Sequence, residues 1–232
     1  IMVSSLDRHA IGGISQTIID GSGAGSVVTF DSGEGANSVL AGLTIVGGYA
    51  EFGGGIQCSG ASPITANCVI TGNLAHVGAG LWLHHSEATI VNCTVSDNTS
   101  TVEGGGLYSE GSAAVVSSIF WNNQPQQIVA DSTEVLSVTY SDVQGSWTGN
   151  ENIDADPCFA GPGDYHLRSP QGRWEPTQSV WVQDQDNSPC IDAGNPNADP
   201  QVERSPNGDR INCGAYGGTA EASLSVSKTS NQ

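Results

Sequence analysis

Cys68-Val69-Ile70-Thr71-Gly72-Asn73 is followed 25 residues later by the similar Cys93-Thr94-Val95-Ser96-Asp97-Asn98, which indicates an internal repeat. Related copies begin at residues 43 and 118, so the step is 25 each time. A second series, with steps of 25 and 26, reads Gly53-Gly54-Gly55-Ile56, Gly78-Ala79-Gly80-Leu81 and Gly104-Gly105-Gly106-Leu107. A period of this size is typical of solenoids, in which each repeat packs on its neighbours.

The repeats have the composition of strands and turns. They are short runs rich in β-branched residues, separated by Gly, Asn and Ser. Helical repeats need long amphipathic runs, and leucine-rich repeats need regularly spaced leucines, and neither pattern is present. The sequence therefore predicts an all-β fold over residues 1–145, a single-stranded right-handed parallel β-helix with rungs of about 25 residues.

Alternation along each strand predicts which side chains point inward. One expected inward stack is Ile45, Ile70, Val95 and Phe120, with Leu43, Cys68, Cys93 and Ser118 two residues earlier on the same face; another is Ile56, Leu81 and Leu107. The recurring Asn73, Asn98 and Asn123 predict a structural ladder of side-chain amides at a turn with left-handed backbone.

The two ends of the chain differ from the repeats. Further strands are predicted at residues 17–19, 27–30, 38–40, 127–130 and 135–140, and the pattern stops near Asp142. Residues 146–218 are rich in Gly, Pro, Asn and Asp, which predicts a loop-rich C-terminal cap packed on the last rungs. Residues 219–232 are small and polar and are expected to be a linker-like tail that leads to an anchor in a larger protein.

The strong net negative charge of the chain makes some classes of binding partner unfavourable. The chain has 24 Asp and Glu but only 6 Lys and Arg, a net charge of −18. Such a protein is not expected to bind nucleic acid through phosphates, and it repels polyanions unless a divalent cation bridges them. No stretch approaches the roughly 20 apolar residues of a membrane span. No signal peptide is recognised, and we expect a mature secreted protein or an excised part of one.

Six cysteines fall into two groups. Cys58, Cys68 and Cys93 occupy inward positions of the predicted rungs, where stacked free thiols are the favoured interpretation. Cys158, Cys190 and Cys213 lie in the predicted cap, where two of them could form a disulfide, and the sequence does not determine which two.

The repeats resemble the pectin-lyase-like superfamily, and most closely the right-handed parallel β-helix repeat proteins of bacteria. The C-terminal segment is similar to the one that closes choice-of-anchor-type secreted proteins, through the ordered stretches Asn152–Pro157, Gly163–Leu167, Ser188–Gly194 and Arg210–Gly218. Together the two resemblances cover nearly the whole chain. They imply export and often a surface anchor, but no single activity, because fold does not determine function.

Catalysis is the alternative hypothesis rather than the favoured one. The resemblance implies that a polysaccharide lyase would hold Ca²⁺ on acidic residues and use Arg or Lys as base, yet no Lys or Arg lies between residues 9 and 167. A glycoside hydrolase needs paired carboxylates. The available carboxylates are scattered at turns, although His84 and Tyr108 could supply a base; these carboxylates are Glu51, Glu87, Asp97, Glu103 and Glu110. No catalytic residue is predicted.

Outward aromatic residues suggest binding instead. Gln57, Trp82 and Tyr108 are equivalent on three successive rungs, and His84 and Glu110 flank them. An exposed aromatic ladder with polar neighbours suits stacking on sugar rings. The favoured function is a secreted or cell-surface module that binds an extracellular polysaccharide or another surface component, or that acts as a structural spacer. The competing interpretation of the aromatic residues is packing beneath a loop or the cap.

Calcium is the one cofactor that the sequence suggests. Oxygen-bearing side chains recur in the predicted cap at Asp192, Asn195, Asn197, Asp199, Asn207 and Asp209. Alternating oxygen ligands suit Ca²⁺, but no Glu completes an EF-hand loop. Asx turns, in which Asp or Asn accepts a hydrogen bond from a nearby backbone amide, explain the same composition and are slightly favoured.

Overall fold

The protein is built almost entirely from short strands. The structure, a computed structural model, describes residues 1–5, 13–131 and 135–226. These residues contain one short helix, α1 (Gly13–Gln16), and the strands β1 (Met2–Ser4), β2 (Ile18–Asp20), β3 (Val28–Phe30), β4 (Val39–Ala41), β5 (Thr44–Val46), β6 (Tyr49–Phe52), β7 (Ile56–Ser59), β8 (Ile64–Ala66), β9 (Val69–Thr71), β10 (Leu74–Val77), β11 (Leu81–His84), β12 (Thr89–Val91), β13 (Thr94–Ser96), β14 (Thr99–Glu103), β15 (Leu107–Glu110), β16 (Ala114–Val116), β17 (Ile119–Trp121), β18 (Ile128–Ala130), β19 (Ser137–Thr139), β20 (Asp142–Val143), β21 (Phe159–Gly161), β22 (Asp164–Leu167), β23 (Arg173–Glu175) and β24 (Val180–Val182).

The strands wind into a parallel β-solenoid of about five turns, which confirms the predicted fold class. Each complete turn visits four parallel sheets. We call them sheet A (β1-β4-β8-β12-β16-β19), sheet B (β2-β5-β9-β13-β17-β20), sheet C (β6-β10-β14) and sheet D (β3-β7-β11-β15-β18). Ile64, Thr89 and Ala114 pair in register, so one turn takes 25 residues. The extra strands lie within a few residues of their predicted positions.

The interior is the stack of apolar side chains that alternation predicts. Ile45, Ile70, Val95 and Phe120 are fully buried, as are their neighbours Leu43, Cys68, Cys93 and Ser118, and Ile56, Leu81 and Leu107 form the second stack. Parallel pairing places these side chains directly above one another, so the core is a column that runs along the solenoid axis.

The asparagine ladder lies between sheets B and C. The Nδ2 of Asn73 donates to the Oδ1 of Asn98 at 3.0 Å, and the Nδ2 of Asn98 donates to the Oδ1 of Asn123 at 3.0 Å. The expected left-handed backbone lies elsewhere, because positive φ occurs at Asn67, Asn92 and several other turn residues but not at the ladder positions. The ladder residues are therefore selected for side-chain hydrogen bonding rather than for backbone conformation.

The C-terminal segment only partly acts as an end cap. Its beginning extends the last rung, because the amide of Val143 donates to the carbonyl oxygen of Ile153 at 2.9 Å. The remainder lies along the outer face of sheet B. Tyr165 contacts Thr71 at 2.6 Å through its hydroxyl, and the Nδ2 of Asn67 donates to the carbonyl oxygen of Ala215 at 2.9 Å. The segment thus covers the outer face of sheet B on four rungs, where apolar side chains of the segment pack against apolar side chains of the sheet.

Residues 219–225 differ from the linker that their composition predicts. Thr219, Glu221, Ala222 and Ser225 are buried against the C-terminal segment. The hydroxyl of Ser225 donates to the Oδ1 of Asp192 at 2.6 Å. Small polar residues are compatible with close packing as well as with a linker, which is why composition did not separate the two. Residues 227–232 lie outside the described part of the chain.

All six cysteines are free thiols. Cys58, Cys68 and Cys93 are buried in the solenoid, as predicted. In the C-terminal segment, the Sγ of Cys190 donates to the Oδ2 of Asp142 at 3.0 Å and the Sγ of Cys213 donates to the carbonyl oxygen of Tyr140 at 3.1 Å. These thiols tie the segment to the last rungs through hydrogen bonds instead of a disulfide.

Candidate functional site

The outer faces of sheets C and D are free of the C-terminal segment and adjoin each other. The outer face of sheet B is covered, because Val69, Ile119 and Trp121 pack into apolar clusters with that segment. Trp121, which was predicted to face outward on another side, does so but lies beneath this layer. Trp82 and Tyr108 lie on sheet D, so the predicted ligand-binding face is not covered by this segment.

Glycine shapes the corner between sheets C and D. Gly53, Gly78 and Gly104 all have a positive φ near 60°. A Cβ placed on Gly78 would lie 2.9 Å from the Cβ of Trp82, and one on Gly104 would lie 2.8 Å from the Cβ of Tyr108. The chain is therefore closely packed where sheet C passes into sheet D. Only glycine tolerates both the backbone conformation and the close approach.

The predicted aromatic row is in register but is less exposed than expected. Trp82 pairs with Gln57 on one side and with Tyr108 on the other. However, Trp82 is only 9% exposed. Its ring packs against Phe52 with 4.9 Å between centroids and stacks on His84 at 5.1 Å with an interplanar angle of 4°. The expectation of an open tryptophan platform was therefore wrong, since sequence alternation could not reveal that Phe52 of sheet C covers the ring across the corner.

A polar cluster forms beside Trp82. The hydroxyl of Tyr108 donates to the Oε1 of Glu110 at 3.2 Å, and the Nε2 of His84 lies 3.4 Å from the Oε2 of the same carboxylate. The side chains of His84 and Glu110 are each 33% exposed. Burial, followed by the nearby charge of Glu110, raises the pKa of the Tyr108 hydroxyl. The cluster presents fixed donors and acceptors to solvent on two adjacent rungs.

Gln57 belongs to the same face but not to the cluster. Its Oε1 lies 3.2 Å from the hydroxyl of Ser26, whose single proton can be donated either to this oxygen or to the carbonyl oxygen of Phe52. Gln57 is half-buried and is held one rung away from His84. Of the five predicted ligand-binding residues, the structure thus brings His84, Tyr108 and Glu110 together around one carboxylate, with Trp82 behind them.

The remaining carboxylates considered for catalysis do not converge. Asp97 accepts a hydrogen bond from the Tyr165 hydroxyl at 2.8 Å and so anchors the C-terminal segment. Glu51 lies on sheet C, Glu87 in an exposed turn and Glu103 at the end of β14. No arrangement of two carboxylates on opposite sides of one cleft results. Glu110 is the only one of these five that contacts His84 and Tyr108 among the described residues.

The predicted calcium ligands make local hydrogen bonds. The Oδ1 of Asn195 accepts from the amide of Asn197, and Asp199 and Asn207 accept in the same way from residues two positions further on. These are the Asx turns that formed the alternative interpretation. Asp192 accepts from Ser225. Within the described residues, no three His, Cys, Asp or Glu side chains converge on a position that could hold a metal ion. Calcium binding by these oxygens, including those of Asp209, stays a prediction.

Buried ionisable groups lie in and beneath the C-terminal segment, and sequence reasoning missed them. His166 is fully buried between the Oδ1 of Asp164 at 2.6 Å and the Oε2 of Glu221 at 2.8 Å, and its ring stacks on Tyr216. These two carboxylates outweigh burial and raise the pKa of His166. Burial raises the pKa of Asp142 to about 6 and that of Glu203 to about 7. Their contacts join segments that are distant in sequence, so no local motif signals them.

A groove of about 500 Å³ lies on the outer face of sheet C and was also not predicted. Its lining includes Tyr49, Glu51, Leu74, His76 and Thr101. Among these residues, the sequence suggested a role only for Glu51, as one of the scattered carboxylates. The signal that could have revealed the groove is the period itself, because Tyr49, Leu74 and Thr99 occupy one register position on three rungs.

No helix among the described residues is long and apolar enough to cross a membrane.

Comparison with known proteins gives one match. Neither the curated proteins nor the solved structures contain a match to this chain. The family described as "Disaggregatase related" matches residues 49–194, which is well over half of the 232 residues and includes most rungs of the solenoid together with much of the C-terminal segment. This β-solenoid belongs to the disaggregatase-related family.

Proposed function

We propose that the chain is a secreted or cell-surface β-helix module that binds an extracellular polysaccharide on the outer face of sheet D without cleaving it. One observation carries the proposal: the carboxylate of Glu110 holds Tyr108 and His84 on adjacent rungs, half-exposed and beside the stacked ring of Trp82. The fold and the family match support a surface or structural β-helix module.

The physical argument rests on preorganisation. Sugar hydroxyls need donors and acceptors in fixed positions, and ordering flexible side chains on binding would reduce affinity. Here the strands are locked by parallel pairing, and adjacent rungs place equivalent side chains about 4.8 Å apart. The exposed edges of His84 and Tyr108 add aromatic surface for the apolar faces of sugar rings.

Charge makes catalysis the weaker alternative. A polysaccharide lyase would have to neutralise a sugar carboxylate and supply a base, yet the rungs carry no Lys or Arg. A glycoside hydrolase would have to find a second carboxylate opposite Glu110. The polysaccharide lyase or glycoside hydrolase hypothesis would therefore have to rely on His84 and Tyr108, which both contact the single carboxylate of Glu110.

A structural spacer is the second candidate, and the asparagine ladder favours it. Asn98 makes buried hydrogen bonds to both adjacent rungs, which gives a rigid rod suited to holding other parts of a larger anchored protein apart. This candidate needs no ligand, so it is distinguished from the first by binding alone.

Native affinity electrophoresis tests the proposal. The wild-type chain is run through gels containing neutral or acidic polysaccharides, with Ca²⁺ and with chelator. We expect retarded migration in at least one gel. Glu110→Ala removes the acceptor that Tyr108 and His84 share, and it should abolish the retardation caused by binding to sheet D. Ser137→Ala changes an exposed residue of sheet A and should leave the retardation unchanged. Loss of retardation with chelator would assign a role to calcium. A cleared zone around the band would show cleavage, and unretarded migration everywhere would favour the spacer.

A further inference from the structure

We propose that the groove on the outer face of sheet C is a second saccharide site, which takes an uncharged pyranose segment stacked on Tyr49. The inference rests on the proposed function for the class of ligand, but it names a different face and different residues. The side chains that would carry it are Tyr49, Glu51, Leu74, His76 and Thr101.

Tyr49 supplies the stacking surface that Trp82 does not. Tyr49 is 64% exposed, although it lies in a strand, β6 at the edge of sheet C, rather than in a loop. Its backbone is fixed on both sides, because its amide and carbonyl groups each hydrogen-bond to Gly25 at 3.0 Å and its strand pairs with β10. An exposed aromatic ring on an immobile backbone loses little conformational entropy when a flat apolar surface stacks on it.

The neighbouring rung extends this surface. Leu74 is paired with Tyr49 and is 46% exposed, so aromatic and aliphatic surfaces lie side by side about one rung spacing apart. Next to them, the Nδ1 of His76 and the hydroxyl of Thr101 are 2.7 Å apart, which fixes the orientation of the imidazole. The Nε2 of His76 has no hydrogen-bond partner within the described residues and is available to a sugar hydroxyl.

Charge argues for an uncharged ligand. Glu51 is the only carboxylate in the lining, and no Lys or Arg accompanies it. A uronic acid or sulfated sugar would place its anion beside Glu51 without a counterion, on a protein whose net charge is already −18. A basic protein partner would need several carboxylates, and the groove offers one. A second copy of this chain would bring a further −18, which disfavours self-association through this face.

The experiment compares binding with variants of the full chain. Gels and calorimetric titrations use a galactomannan and a glucan as neutral probes and polygalacturonate as the acidic probe. We expect neutral probes to bind. Tyr49→Ala should weaken binding roughly three- to tenfold, the range that loss of one aromatic stacking partner gives. Tyr49→Phe should retain most of the affinity, because the ring rather than the hydroxyl carries the contact. Val180→Ala, which alters an exposed apolar residue elsewhere, is the matched control.

The outcomes separate this site from the one on sheet D. If Tyr49→Ala weakens binding while Glu110→Ala does not, the groove is supported and the sheet D proposal fails. If only Glu110→Ala weakens binding, the groove proposal is overturned. If the acidic probe binds as well as the neutral ones and Tyr49→Ala has no effect on either, the charge argument is also wrong. A lower apparent mass of Tyr49→Ala in sedimentation would assign the face to self-association and overturn the proposal.

Discussion

The solenoid should be more stable at pH 5 than at pH 8. The reason is the burial of Asp142 and Glu203. Asp142 is fully buried, and its pKa rises from 3.8 to about 6. Glu203 is 3% exposed, its Oε2 has no hydrogen-bond partner among the described residues, and its pKa rises from 4.5 to about 7. Both native carboxyls therefore hold a proton more tightly than the unfolded chain does.

The magnitude follows from linkage between protonation and unfolding. A carboxyl with a raised native pKa favours the folded state below its unfolded pKa, and this contribution is lost as the pH rises through the native pKa. The shift at Asp142 corresponds to about 3 kcal/mol lost between about pH 4 and pH 7, and the shift at Glu203 to a similar amount lost between about pH 4.5 and pH 8. His166 acts in the same direction, because its raised pKa means that the stabilising charge on its ring is lost at high pH.

Urea unfolding followed by tryptophan fluorescence at pH 5 and pH 8 measures the effect. We expect the wild type to lose several kcal/mol of unfolding free energy between these values. Asp142→Asn keeps an oxygen to accept from the Ala155 amide and cannot ionise, so it should remove about a third of this loss, because Asp142 is already partly ionised at pH 5. Glu87→Gln, at an exposed turn, is the control and should leave the difference unchanged. Equal stability of the wild type at both pH values, or an unchanged pH dependence in Asp142→Asn, would refute the reasoning.

Three further predictions concern the solenoid itself. Asn98→Ala removes buried hydrogen bonds to both adjacent rungs and should lower the unfolding free energy by about 3–5 kcal/mol, measured by urea unfolding; a loss below about 1 kcal/mol would contradict the ladder's role. Gly78→Ala should lower it by more than Gly60→Ala, because both have φ near 60° but only Gly78 meets other atoms; equal losses would show that the corner is not closely packed. Trp82→Ala should destabilise by about 3 kcal/mol and shift the melting curve, so an unchanged curve would restore the open-platform interpretation.

The sequence predicted the solenoid because its determinants are local and periodic. Strand alternation fixes which side chains point inward, and the 25-residue step fixes which of them stack, so Ile70 and Val95 could be paired without any tertiary information. The same register placed Trp82 beside Tyr108 correctly. The solvent exposure of outward side chains could not be predicted in this way, because it depends on whether another sheet or a distant segment packs against them. Phe52 covers Trp82 across a corner, and the C-terminal segment covers Trp121.

The candidate sites follow from the same distinction. In the sequence, the glycine series indicates only the 25-residue period. In the structure, Gly53, Gly78 and Gly104 form the corner between sheets C and D, the two sheets proposed for binding. Because their missing side chains let the end of sheet C approach the start of sheet D, Phe52 contacts Trp82 and shields it from solvent, while the polar cluster around Glu110 lies on sheet D and the groove beside Tyr49 lies on sheet C. The repeat that produces the solenoid therefore also determines which outer side chains are buried and which stay exposed to a ligand.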